Sequence, residues 1–191
     1  MAKNYCTAEM VEAFGGARLT SAQQAQWATI LGAAEAVIDR ITGRSFVADG
    51  TAENPVEKKY DGDGTAVIVV DDLLSLVTLT VDDLTVAATD YVLRPTNTTP
   101  KSLIELLYIT AARDHENVVV SGVWGYSSTV PEAIARATAL LVGRSLAAPA
   151  WVRSQSVDGY SVSYGGGEMT DFELARELGI AHYVRPAIGV V

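Results

Sequence analysis

The stretch "TSAQQAQWATILGAAEAVIDRITG", residues 20–43, constrains this chain more than any other. Trp27, Ile30, Leu31, Ala34, Val37, Ile38 and Ile41 recur at i, i+3, i+4 spacing, which places them on one face of an α-helix. Thr20, followed three positions later by Gln23, forms a capping box that starts such a helix, and Gly43 suits its end. The spacing predicts one helix over 21–42. Its apolar face needs a partner, and the rest of the chain must supply one.

Two other segments share the helical period. Thr7 precedes "AEMVEAF", where Met10, Val11 and Phe14 fall on one face before Gly15-Gly16 stops the run, so a helix is expected over 7–15. In "VPEAIARATALLVGRSL", Pro131 suits a first turn and Glu132 the positive end of the dipole, while Ile134, Ala137, Leu141 and Val142 make a stripe. This predicts a helix over 131–146. Its small residues, Ala133, Ala135, Ala137, Ala139 and Gly143, permit close approach to the 21–42 helix.

Between these helices the period changes to two. Val77, Leu79 and Val81 alternate with Thr78 and Thr80, and Val118, Val120 and Trp124 lie on one side of "NVVVSGVW". "DDLT" at 82–85 reads as a hairpin turn, "RPTNTTPKS" at 94–102 as a loop and "AARDHEN" at 111–117 as a polar turn. A meander of short antiparallel strands is therefore expected over 58–125, with Trp124 anchoring it to the helices. Beyond Pro149, "YSVSY" reads as a strand and Gly165-Gly166-Gly167 as a hinge. Thr170 with Glu173 forms a second capping box for a short helix to about Leu178, and "AHYVRPAIGVV" is an apolar tail. The fold class is α+β: a helical bundle with an inserted antiparallel β meander, forming a core over 1–150, and an extended C-terminal arm over 151–191.

Candidate chemistry is sparse. "YDGDGTAVIVVDD" at 60–72 places Asp61, Asp63 and Asp72 at the first, third and twelfth positions of a calcium loop. Thr65 and Ala66 occupy positions that need a carboxylate or amide and a glycine, and a strand follows where a helix should begin. The stretch therefore reads as a glycine-rich turn. One cysteine, Cys6, and two distant histidines, His115 and His182, make neither a disulfide framework nor a zinc cluster. The serines of "GYSSTVP" lack a nucleophile elbow, and the adjacent pairs Asp71-Asp72 and Asp82-Asp83 diverge on strands or turns. No catalytic residue, cofactor or metal site is read; an enzyme using the acidic loops with a divalent ion is the alternative. Net charge is −9 and the basic residues are scattered, which argues against gripping nucleic acid. No basic region precedes a continuous apolar stretch and no run of about 18 apolar residues occurs, so a soluble chain without an export signal or membrane contact is expected.

The order of three motifs is more telling: "AAEAVIDRITGRSF" ending a helix, "YDGDG" opening the β part, and "VWGYS" followed by "VPEAI" and a small-residue helix. Over residues 5–146 this order resembles the head-tail connector, or adaptor, family of long-tailed bacteriophages and gene-transfer particles. The resemblance implies a virion structural protein of the head-tail neck, not an enzyme, assembled in the host bacterial cytoplasm. It implies a homo-oligomeric ring, usually of twelve subunits, beneath the portal protein, extending the DNA channel and docking a stopper or tail-completion protein. DNA would pass without sequence-specific binding. Another neck component, a stopper or tail terminator, is the alternative within that class. Phe172, Leu174 and Leu178 at helical spacing, with Tyr183, Val184, Arg185 and Ile188 in the tail, form the expected partner interface.

Overall fold

A computed structural model of the protein describes residues 3–15, 18–147, 154–157, 160–163 and 170–186. The chain divides into two units, Met1–Arg44 with Val130–Val191, and Ser45–Thr129. The first unit is interrupted in sequence by the second.

The first unit is built on helices α1 (Ala8–Gly15), α2 (Ser21–Ala25), α3 (Trp27–Thr42), α4 (Glu132–Ala147) and α5 (Asp171–Glu177). The capping box is present: Thr20 Oγ1 accepts from Gln23 N–H at 3.3 Å and Gln23 Oε1 from Thr20 N–H at 2.9 Å. The single helix expected over 21–42 is instead broken at Gln26, where φ is −103° and ψ 11°. None of α2's residues is buried, so no packing holds this first turn in line with the next. From Trp27 onward, Leu31, Ala34, Ile38 and Ile41 are buried, and Gly43 ends the helix in the left-handed conformation at φ 65°.

Helix α4 packs against both α1 and α3. Val11, Leu31, Ala34, Ala139 and Val142 share one core cluster, while Ile134 and Ala137 are also fully buried. Phe14 departs from its expected place on the buried face of α1: it is 45% exposed, with the Arg136 guanidinium 5.8 Å from its ring centre.

Polar contacts that periodicity does not reveal fasten the N-terminal segment. The buried Glu35 carboxylate accepts from the backbone N–H of Lys3 at 2.6 Å and of Tyr5 at 2.8 Å. Asn4 between them has φ 60°, a left-handed conformation that asparagine tolerates and that turns alternate N–H groups toward one anion. One turn along α3, Asp39 accepts from Lys3 Nζ at 2.7 Å and from the Tyr5 hydroxyl at 2.6 Å. Two carboxylates at i and i+4 thus clamp one short segment.

The second unit holds β1 (Val56–Gly62), β2 (Val67–Val81), β3 (Leu84–Thr85), β4 (Tyr91–Arg94), β5 (Lys101–Leu106) and β6 (Asp114–Trp124). All pair antiparallel, in the order β1-β6-β2-β5-β4, with β3 against the end of β2. This is not the expected meander, because the last strand lies between the first two. The cause is β2, whose 15 residues serve two long partners besides the short β3: Ile68 lies opposite Ile104 in β5, and Leu79 opposite Val120 in β6. The register shifts between Leu73 and Ser75, where β2 passes from one partner to the other. Ile68, Val70, Leu73, Leu79, Val81, Ile104, Val118, Val120 and Trp124 form its core.

The Asp82-Asp83 turn is the expected hairpin, with Val81 opposite Leu84 and both aspartates at positive φ, 50° and 63°, as a type I′ turn requires. The polar turn expected over 111–117 ends sooner, because β6 begins at Asp114. Trp124 is 2% exposed, and its Nε1–H donates to Val56 O at 2.8 Å. Its described partners belong to the sheet unit itself, including Tyr60 and the Lys58 ammonium 4.5 Å from its ring centre.

Both ends of β2 come to one end of this unit, since Ala111 N–H donates to Thr65 O, just before the strand, and Ala112 N–H to the Asp82 carboxylate, just after it. At the other end the chain enters and leaves: Asp49 and Trp124 exchange two backbone hydrogen bonds, and Tyr126 N–H donates to Ser45 O at 2.7 Å. A separate hairpin pairs β7 (Ser154–Val157) with β8 (Tyr160–Ser163). Among the described residues no helix is long and apolar enough to cross a membrane.

Candidate assembly surfaces

The C-terminal segment begins with the second capping box, in which Thr170 Oγ1 accepts from Glu173 N–H at 3.3 Å and Glu173 Oε2 from Thr170 N–H at 2.8 Å. These donors hold the Glu173 carboxyl below its usual range, backbone contact first and hydroxyl second. Helix α5 packs on α3, with Ala175, Leu178 and Ile180 buried. Arg40 of α3 bonds both carboxylate oxygens of Asp171, and Arg144 of α4 pairs with Glu177. Arg185 N–H donates to Thr42 O at 2.8 Å, fixing the chain beyond the single 3-10 turn Ala181–Tyr183.

The expected interface residues therefore separate. Leu178 is 8% exposed and packs within its own unit. Leu174, Tyr183, Val184 and Arg185 are half-buried. Phe172 lies on α5, and Ile188 falls outside the described residues, as do the glycine hinge and Trp151.

The carboxylates at the end of β1 and in the turn after it are engaged, Asp63 within the turn and Asp61 by β6. Asp63 Oδ1 accepts from Thr65 N–H at 2.9 Å and from the Thr65 hydroxyl at 2.6 Å; Asp61 accepts from Glu116 N–H at 2.8 Å and lies 3.3 Å from His115 Nδ1. The Thr65 donors lower the Asp63 pKa, while the Glu116 backbone and then His115 lower that of Asp61. Strand β2 follows at Val67, so the stretch is the turn its sequence suggests. Among the described residues no group of three or more histidine, cysteine or acidic side chains is placed to hold a metal ion.

Sequence periodicity passes over a different surface at this end of the sheet unit. Between β5 and β6, Leu107 and Ile109 are each 44% exposed and Tyr108 is 78% exposed. The loop is bonded at both sides, Leu107 N–H to Asp90 O and Ala112 N–H to the Asp82 carboxylate at 3.0 Å. Leu84, just past the Asp82-Asp83 turn, is 71% exposed. The readable signal is the run "LLYI" after the strand alternation of β5 has ended.

No protein-family profile matches the chain, and no curated protein matches it. Solved structures do. A chain in the neck of an empty gene transfer agent particle, computed with C6 symmetry, aligns with a TM-score of 0.56 at 16% identity, covering 93% of this chain and 91% of that one. A chain in the neck of the native particle, computed with C12 symmetry, gives 0.53 at 15% identity, covering 90% and 86%. One in the virion of the native gene transfer agent particle gives 0.53 at 17% identity, covering 90% and 87%. At these identities the likeness is one of fold, and coverage above nine-tenths of this chain takes in residues of both units.

Proposed function

We propose that this protein is a structural component of a virion neck, a head-tail connector of the adaptor type that forms a ring under the portal. The reading rests on a fold likeness to neck chains that spans nearly the whole of both chains, inserted sheet included. The C6 and C12 symmetry of those necks supports a ring, twelve being the expected number. In this reading the ring extends the DNA channel and offers its far face to a stopper or tail-completion protein. DNA slides past an acidic wall that repels phosphate, with no catalytic step and no cofactor. With Leu178 taken up by its own helices, the contacts to a neighbour or the portal fall to Phe172, Leu174, Tyr183, Val184, Arg185 and Ile188. The protein is built in the bacterial cytoplasm and ends in the particle.

The test is assembly. Purified chain, alone and with the portal protein of the same particle, is weighed by native mass spectrometry and imaged by negative-stain electron microscopy. A closed ring, and filled heads without tails when the gene is disrupted, are expected. A chain that stays monomeric with the portal and is absent from particles would overturn the reading.

A further inference from the structure

Charge is divided unequally between the two units. Residues 45–129 hold 13 of the 23 acidic residues but only 5 of the 14 basic ones, so nearly all of the net charge of −9 belongs to the sheet unit. Much of it collects at the end away from the chain's entry and exit. There the end of β1 and the turn after it bring Asp61 and Asp63, the β2–β3 hairpin brings Asp82 and Asp83, and the start of β6 brings Asp114 and Glu116. The basic residues at this end are engaged: Lys59 pairs with Glu116, and the Arg113 guanidinium donates to Asp63 O. His115 faces Asp61.

The exposed apolar residues Leu84, Leu107, Tyr108 and Ile109 stand at this same end, amid those carboxylates. Apolar side chains within a polar rim are the usual anatomy of a protein contact, and a large, highly exposed tyrosine is the residue type that anchors one. We infer that this end of the sheet unit is a docking surface for a different protein whose contact face is apolar with a lysine and arginine rim. The sign of the charge decides the occupant. A second copy offering the same end would set carboxylates against carboxylates, and DNA would set phosphates against them. This inference rests on the neck reading only for where the partner is met, not for its chemistry.

The test is site-specific photocrosslinking in producing cells, with Tyr108→p-benzoylphenylalanine in the full chain and mapping of the linked peptide by mass spectrometry. A crosslink to a lysine- or arginine-rich segment of another polypeptide is expected. Its yield should fall about fivefold when Asp83→Asn and Asp114→Asn are added, changes that remove charge while keeping side-chain shape, and again with Ile109→Ser. Melting curves matching wild type establish that these variants fold. A crosslink to another copy of this chain, a crosslink to DNA, no crosslink, or a yield indifferent to the neutralised carboxylates would each overturn the inference. Recovery of the wild-type chain in purified particles scores the neck reading separately, so the two can fail independently.

Discussion

At Glu35, one carboxylate takes the place of the partner that two backbone N–H groups would otherwise lack. Its 3% exposure means that water cannot easily stand in for it. Glu35→Ala should cost about 2–4 kcal/mol, the price of leaving buried donors unpaired, with Glu35→Gln recovering part, as read from urea melts. Gly62 is constrained from another direction. A β-carbon there would lie 2.0 Å from Ala112 O and 2.8 Å from the Asn117 amide, which itself holds Gly62 N–H at 2.7 Å. Gly62→Ala should therefore destabilise the sheet unit by about 2–3 kcal/mol or more, whereas Gly64→Ala meets no atom and carries only the cost of its φ of 85°. Cys6, buried and beside the Glu35 charge, has its thiol pushed up to about 11 by burial first and that charge second. Iodoacetamide at pH 8 should label it only after unfolding. The unfolded thiol, with its ordinary value near 9, gives up its proton first. Its contribution to stability is therefore intact at pH 8 and lost as pH rises from about 9 to 11, which melts across that range would display.

Elements were legible where one pattern and one partner agree. Ile134, Ala137 and Val142 mark α4 because a single stripe meets a single bundle, and Thr20 with Gln23 marks a cap because that chemistry is wholly local. β2 was legible as a strand but not as a strand with several partners, since alternation in "VIVVDDLLSLVTLTV" fixes which side chains face inward and says nothing about which strand lies alongside. The Glu35–Asp39 clamp is not legible for a related reason: its donors, two backbone N–H groups and two side chains, lie some thirty positions away, invisible to any window along the helix. The docking of α5 tests which contacts hold an element. Its two ion pairs with Arg40 and Arg144 are exposed, and exposed pairs contribute about 0–1 kcal/mol each, while Ile180 is fully buried. Ile180→Ala should accordingly cost about 2–4 kcal/mol, and Arg40→Ala with Arg144→Ala together less than about 2, both measured by thermal melts in the same buffer.

At the scale of the molecule, the class of fold and the insertion of a β part between helices could be read from the change of period. The neck reading came from the order of motifs rather than from any site. The acidic and apolar end of the sheet unit could not be read, because it is made by three loops that only the β1-β6-β2-β5-β4 order brings together. The insertion also bears on how the chain comes off the ribosome. Helix α3 is made some ninety residues before α4, and until then the part of its buried face that α4 covers lacks its partner. The sheet unit is complete first, and in completing itself it draws Ser45 to Tyr126 with a hydrogen bond of 2.7 Å. What would have been the closure of a long loop is thereby shortened before α4 exists, so the sheet acts as a clasp that delivers the second half of the helical unit to the first.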